Sequence, residues 1–289
     1  MMKQKTIGIS GASGFVGKHL CKELKSDYQI IRLKREDILY NPKNLDQTLR
    51  ECDAVIHLSG ASVAKRWSSQ YKQTLWSSRI ETTRNIRASL NRIALQDEKN
   101  RVFISTSAVG IYSPGGPFKE DEGIEGDRFL QKLGRAWEHE AMYPADPSIR
   151  TVIFRLSMVA DPSYGAFSMM ARLGQRGILM ASIDPSLPYP MIPLEDLIRS
   201  YQWALSHETI RGVYNIALPE YISQEDVLDQ LKERYGQRLR ITAPKLPLTL
   251  AMGEGVSIIT DLAYMDVSKW ENTGFVYLYP TLASYVNKL

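Results

Sequence analysis

The stretch IGISGASGFVGKHL, residues 7–20, constrains the fold more than any other part of the chain. Gly11, Gly14 and Gly17 stand three apart, directly after a short apolar run. Residues 14–25 have helical periodicity, with Phe15, Leu20, Cys21 and Leu24 able to share one face. A strand that turns into a helix through glycines leaves the first helical N–H groups unpaired and facing the loop. With the helix dipole they form an anion site. Gly11 permits the tight turn, Gly14 lets a pyrophosphate approach the backbone, and Gly17 lets helix and strand pack closely. Ser13, Phe15 and Val16 complete the candidate loop. The spacing is G-x-x-G-x-x-G rather than the more familiar G-x-G-x-x-G. Its place between a strand and a helix, at the head of the chain, points to a bound dinucleotide rather than a purely structural turn.

Strand-like and helix-like segments then alternate. KTIGIS, YQIIRL, CDAVIHLS (52–59), RVFISTS (101–107) and IRTVIFRL (149–156) read as strands. Residues 14–25, 68–95 and 127–142 read as helices. The continuous apolar strands suit a sheet buried on both faces. Alternation of this kind predicts right-handed crossovers and a parallel sheet covered on both sides. The expected fold class is therefore α/β, a Rossmann-like doubly wound parallel sheet, whose ligands bind beyond the carboxyl ends of the strands. After residue 156 the pattern changes to Gly, Pro and Met mixed with short apolar pieces. LEDLIRSYQWALS then reads as a helix, GVYNIAL as a strand, and a capped helix begins at Ser223. The expected division is a nucleotide-binding domain over 1–160, with 195–218 returning to it. A smaller substrate-side α/β domain is expected from 161–194 and 219–289.

Composition limits the function classes. The 289 residues carry a net charge of only +4, with Lys and Arg scattered, which gives no support to nucleic-acid binding. The two cysteines, Cys21 and Cys52, have no metal-type spacing and fit a reducing compartment. No metal site is expected. The amino terminus lacks the apolar run of a signal peptide, and no apolar run of about 18 residues exists for a membrane span. A cytoplasmic protein without membrane contact is the expectation.

The second strand runs into YQIIRLKRED. An acid at its end would hold the ribose hydroxyls of NAD. Lys34 and Arg35 stand there instead, and two cations suit a 2′-phosphate. NADP is therefore expected over NAD. Two alternatives stay open: Lys34 and Arg35 as plain surface residues, and Glu36 or Asp37 as ribose ligand if the strand ends later.

ISGASGFVG, DAVIHLSG, FISTSAVGIY, FRLSMV and PMIPLEDLIRS occur in this order, and together they resemble the extended short-chain dehydrogenase/reductase superfamily. KRW (65–67), SRIETTRNI (78–86), FLQKLGRAWEHEA (129–141) and GFVYLYPTL resemble an atypical subfamily of epimerase/dehydratase-like proteins with a small C-terminal domain. The resemblance spans essentially the whole chain and says little about substrate. It implies cofactor contacts at Leu58, Ser59, Gly60 and Thr106, and at the backbone of Met158 and Val159 near the nicotinamide. It implies a substrate-holding hydroxyl at Ser107. Superfamily enzymes add a Tyr-x-x-x-Lys pair, whose Lys lowers the Tyr pKa from about 10 so that the phenol exchanges a proton. No lysine of this chain has tyrosine four residues before it. Alignment on Glu138 puts Leu130 and Gly134 at those two positions. Gly134 is either a close approach to cofactor or substrate, or tight helix packing.

Tyr112, five residues after Ser107, is the candidate replacement proton donor. Lys65, Arg66, Arg79 and Glu138 are further polar candidates, each more readily explained as structural. Trp67, Trp137 and Arg155 read as wall, core and structural residues, and His57 as a buried, hydrogen-bonded imidazole. Two functions remain. One is an NADP-dependent epimerase- or dehydratase-like oxidoreductase acting on a small carbonyl or alcohol. The other is a non-catalytic NADP-binding redox sensor or partner-binding protein. By analogy with the superfamily a homodimer is possible.

Overall fold

In the computed structural model the described residues are 4–97, 99–143, 146–182, 184–242 and 252–289. Part of the expected C-terminal domain, 243–251, lies outside them.

Six strands form one parallel sheet: β1 (Thr6–Ser10), β2 (Gln29–Leu33), β3 (Ala54–His57), β4 (Arg101–Ala108), β6 (Ile149–Leu156) and β10 (Gly212–Ile216). Their spatial order is β10-β6-β4-β3-β1-β2. All of its pairings are parallel. Each sheet strand falls within a segment expected from the sequence, except that β4 runs one residue further, to Ala108. The order reverses at β1, between β2 and β3, so the ligand crevice of such a sheet lies beyond Ser10 and His57.

Both faces are covered because every central strand is apolar on both sides. One face packs on α1 (Phe15–Leu24), and on α7 (Leu194–Ser206) through Leu194, Leu197 and Tyr201, against Ile7, Ile9, Ile104 and Phe154. The other packs on α3 (Pro42–Glu51), α4 (Ser69–Asp97) and α5 (Phe129–Met142). Leu49, Leu90, Ile93 and Ala141 meet Val55, Phe103 and Ile153 there. The polar linker after β2 folds as a short helix, α2 (Arg35–Tyr40), then α3, with Pro42 in its first turn and Asn41 capping it.

The remaining elements build on the carboxyl ends of the strands. They are β5 (Gly115–Phe118), β7 (Met158–Ala160), α6 (Gly165–Gly174), β8 (Ile178–Ala181), β9 (Met191–Pro193), α8 (Gln224–Tyr235), β11 (Leu239–Thr242) and β12 (Ala263–Met265). They pair as β5 with β12, β7 with β9 and β8 with β11. A second apolar core joins Phe167 and Met170 of α6, Leu228 and Leu231 of α8, and Tyr285 of the terminal helix Leu282–Lys288. Segment 268–277, expected with the smaller domain, packs elsewhere. Trp270 and Phe275 lie in the large-sheet core, with Trp270 edge-on to Phe154 and Tyr214. Buried Asp196 of α7 anchors the chain just after it, accepting the N–H groups of Leu278 (2.6 Å) and Tyr279 (3.0 Å). Among the described residues no helix is long and apolar enough to cross a membrane.

Candidate functional site

The glycine loop lies at the crevice that the topology predicts. Gly11 has φ +68°, a conformation that favours glycine. A Cβ there would meet the Leu58 carbonyl at 2.9 Å, so the loop after β1 lies directly on the end of β3. At Gly17 a Cβ would stand 2.3 Å from the Gly11 carbonyl oxygen, which forces glycine if α1 is to sit against the turn. Gly14 differs: its Cβ would touch only the Gly11 oxygen, at 3.2 Å, and would otherwise point into open space. Gly14 caps α1 with no side-chain hydrogen bond, and no acid stands in the first turn. The N–H groups of Phe15 and Val16 therefore lack intrahelical acceptors and keep the positive end of the dipole bare. Ser13, just before Gly14, is exposed. This cradle, closed at Gly11 and Gly17 and open at Gly14, fits a dinucleotide pyrophosphate.

The surroundings agree with that fit. Strand β2 stops at Leu33, so Glu36 and Asp37 fall in the first turn of α2, where acids suit the helix dipole. The condition for either as ribose ligand, a later strand end, is not met. Lys34 is exposed, 3.8 Å from Glu36, and Arg35 beside it is exposed as well. Both come directly after Leu33, the register partner of Ser10 at the start of the glycine loop. Leu58, Ser59 and Gly60 leave the end of β3, with the Leu58 N–H held by the Ser10 hydroxyl at 3.2 Å. That hydroxyl lies 2.6 Å from His57 Nδ1, and the Thr83 hydroxyl lies 2.9 Å from Nε2. Desolvation, helped by the charge of Arg79, pushes the His57 pKa down to about 3. The imidazole is a neutral structural strut. Thr106 faces α7, 2.8 Å from the Tyr201 hydroxyl. Met158 and Val159 begin β7, where the Met158 N–H donates to the Pro190 carbonyl at 3.1 Å. Beside them the Ser157 hydroxyl is buried without a partner among the described residues. The sequence reading missed Ser157; its signal is a polar residue just past an apolar strand.

The expected catalytic residues sit in a different arrangement. Ser107 and Arg155 are register partners on adjacent strands β4 and β6. Glu138 of α5 lies across them. Its carboxylate accepts the Ser107 hydroxyl at 2.7 Å and both Arg155 Nε and Nη2 at 2.7 Å. The other Arg155 nitrogen donates to the Tyr112 hydroxyl at 2.7 Å, which in turn donates to Asn215 Oδ1 at 2.6 Å. All five side chains are buried. Burial opposes the charge on Arg155, yet the hydrogen bonds and charge of Glu138 outweigh it and raise the Arg155 pKa.

The two residues expected to be catalytic are both hydrogen-bonded inside this network. Tyr112 is a core residue with both hydroxyl interactions taken, and desolvation pushes its pKa up to about 12. It does not face the crevice as a proton donor. Ser107 is also enclosed, and in this arrangement its single proton is donated to Glu138. The open question at Gly134 resolves to packing. A Cβ would lie 2.9 Å from the Cβ of Ile111, and Leu130 packs on Gly110 in the same way. Helix α5 sits so close to the turn Val109–Ile111 that the space of a Lys stem is filled.

Arg79 is held by the carbonyls of Ala61 (3.0 Å) and Leu75 (3.3 Å) and stacks over Trp137 at 5.2 Å. Desolvation lowers its pKa to about 10. Trp67 and Trp137 are walls of a small apolar cluster with Leu75, Ile80 and Leu133. Lys65 and Arg66 are exposed. A cleft of about 510 Å³ opens beside Leu130 and Gly110, lined by Trp67, Lys72, Phe129, Lys132, Glu254 and Asp261 among others. Among the described residues no cluster of His, Cys, Asp or Glu is arranged to hold a metal.

An epimerase family protein of Staphylococcus saprophyticus is 29% identical, over 95% of this chain and 95% of its own. A chloroplastic epimerase family protein of Arabidopsis thaliana is 24% identical over 96% of this chain and 84% of its own. Among solved structures, a human epimerase family protein crystallised with NADPH superposes with a TM-score of 0.88 at 21% identity, covering 98% of both chains. A UDP-glucuronic acid 4-epimerase of Bacillus cereus, in complex with UDP-glucuronic acid and NAD, does so with a TM-score of 0.76 at 21% identity, over 98% of this chain and 96% of its own. These likenesses show a shared fold. The NAD dependent epimerase/dehydratase family matches residues 7–217, from the glycine loop to the end of β10, and the chain is a member of that family.

Proposed function

We propose that this chain is an NADP(H)-binding oxidoreductase acting on a small carbonyl or alcohol substrate in the cleft beside Leu130. The observation that carries the reading is the glycine cradle, closed at Gly11 and Gly17 and open at Gly14, above an uncapped helix terminus. The loop N–H groups would hold the pyrophosphate, Lys34 and Arg35 the 2′-phosphate, and Ser157 a polar edge of the nicotinamide. A nicotinamide there supplies or accepts a hydride. The chain's own residues bind and shield: Gly110, Phe129 and Leu130 wall the cleft against water. With Leu130 and Gly134 at the Tyr and Lys positions, no phenol serves as general acid. That help is worth about 10²–10⁴ in rate, so turnover is expected to be slow and its proton to come from water or a cleft side chain. The human relative crystallised with NADPH supports the choice of NADP(H).

A second reading, a protein that binds NADP(H) without turning it over, is favoured by one specific observation. The hydroxyls of Ser107 and Tyr112 are both consumed by the Glu138–Arg155–Asn215 network. The deciding experiment follows nicotinamide absorbance of purified protein with NADPH and a panel of small aldehydes and ketones. Oxidation that requires a carbonyl and disappears in Gly14→Val supports the oxidoreductase. Tight NADPH retention with no oxidation, and a melting temperature that differs between NADPH and NADP⁺, supports the binding protein.

A further inference from the structure

The chain leaves β6 at Leu156 and enters β7, which is fixed by its pairing with β9 and by the Tyr285 hydroxyl donating to the Ala160 carbonyl at 2.9 Å. A turn follows, in which Asp161 Oδ1 accepts the Ser163 N–H at 2.7 Å. The turn delivers the Tyr164 ring onto Phe15, with centroids 4.2 Å apart and planes 12° apart. Phe15 is the first residue of α1, directly after the glycine loop. In the sheet, β4 and β3 separate β6 from β1, so the two strands are three spacings, or about 14 Å, apart. Segment 157–164 therefore crosses the crevice from the end of β6 to the helix that follows β1.

On the NADP(H) reading, on which this inference rests, both ends of that segment lie at cofactor positions. Ser157 is at the nicotinamide end, and the Phe15 and Val16 N–H groups are at the pyrophosphate. Helical side chains lean toward the amino terminus of their helix, so the Phe15 ring covers the turn before α1, on the open Gly14 side of the cradle. Tyr164 extends that cover. It is 58% exposed, with one face on Phe15. Gly165, directly after it, has φ +78° and open space at its Cβ position. It is a joint at which the ring can leave Phe15 while α6 stays anchored through buried Phe167 and Met170. We propose that Tyr164 retains the dinucleotide: stacked on Phe15, it closes segment 157–164 over the nicotinamide–pyrophosphate half, and the cofactor leaves only after the two rings part. Retention comes from the ring face, not from the phenol hydroxyl.

The test is stopped-flow release from the full chain. Protein loaded with NADPH is mixed with excess NADP⁺, and the change in nucleotide fluorescence gives the dissociation rate constant. Tyr164→Ala should release NADPH about fivefold faster, as expected for one lost aromatic stack, with association no slower than in the wild type. Tyr164→Phe keeps the stack and should release at the wild-type rate. Phe15→Leu should match Tyr164→Ala, and the double variant should add nothing further, because both remove the same pair. Thermal melts check that each variant is folded; if Phe15→Leu lacks a melting transition, the comparison of alanine with phenylalanine at 164 decides. Release from Tyr164→Ala within twofold of the wild type, release from Tyr164→Phe as fast as from Tyr164→Ala, or additive effects of Phe15→Leu and Tyr164→Ala overturn the inference. Wild-type protein that takes up no NADPH sinks the NADP(H) reading and this inference with it. Tight NADPH binding with unchanged release in Tyr164→Ala leaves that reading standing and overturns only the role of Tyr164.

Discussion

Glu138→Gln tests whether the Ser107 region is a structural network rather than an exposed catalytic set. The substitution keeps the shape of the side chain and removes its charge. In the native protein that carboxylate accepts three hydrogen bonds of 2.7 Å, two of them from a buried guanidinium. In the glutamine variant Arg155 keeps one amide oxygen, the Tyr112 hydroxyl and the Glu120 carbonyl, all neutral. Removing one partner of a buried ion pair costs about 3–5 kcal/mol. The surviving neutral acceptors place this case near the lower end, about 3 kcal/mol, or roughly 6–12 °C of melting temperature in a chain of this size. The assay is urea unfolding with thermal melts of Glu138→Gln, Ser107→Ala and the double variant Glu138→Leu/Arg155→Met. Ser107→Ala removes one charge-assisted hydrogen bond and should cost about half as much. The double variant exchanges the pair for apolar groups and should be more stable than Glu138→Gln alone. Glu138→Gln within about 1 kcal/mol of the wild type, or a double variant less stable than the single, would refute the reasoning.

The same geometry sets other outcomes. Gly134→Ala gains about 1 kcal/mol of helix propensity but forces a Cβ to 2.9 Å from Ile111, an overpacking cost of about 1–3 kcal/mol; the net effect on urea unfolding should be destabilising. Lys34→Ala with Arg35→Ala should weaken NADPH about tenfold or more and leave NADH unchanged, read by fluorescence titration. His57 is held neutral, with a folded pKa of about 3 below its unfolded value near 6.5. Its stability contribution is therefore intact above pH about 6.5. As pH falls toward 3 it is lost at about 1.4 kcal/mol per unit, a slope that His57→Asn should remove from the pH dependence of unfolding. Tyr112→Phe should destabilise by about 1–3 kcal/mol through Asn215 and Arg155 while leaving the NADPH affinity unchanged.

The central sheet was legible because buried parallel strands are continuous apolar runs, and each one stands out against its flanking polar segments. Helices α2 and α3 were not, because 35–51 is mostly polar and buries only Ile38, Leu45 and Leu49. Helix α6 was hidden by glycine and methionine, and it starts at Gly165 with φ +78°. The glycine loop was legible for a local reason: its three residues act on each other and on one helix. The fate of Tyr112 was not. Its partners Arg155 and Asn215 lie 43 and 103 residues away, and only the parallel register of β4, β6 and β10 brings them together. Leu130 and Gly134 announced a missing proton-transfer pair, but the sequence could not say that Ile111 fills the vacated space.

The account stands on the glycine cradle holding NADP(H). Its most direct test is a calorimetric titration of cofactor-free protein with NADPH and with NADH, with a thermal melt at each endpoint. At 100 times Kd, NADPH should add about 2.7 kcal/mol of stability, and Gly14→Val should abolish the binding heat while the protein still melts cooperatively. NADH binding more tightly than NADPH would contradict the assignment of Lys34 and Arg35. Absence of heat with either dinucleotide would contradict the account as a whole.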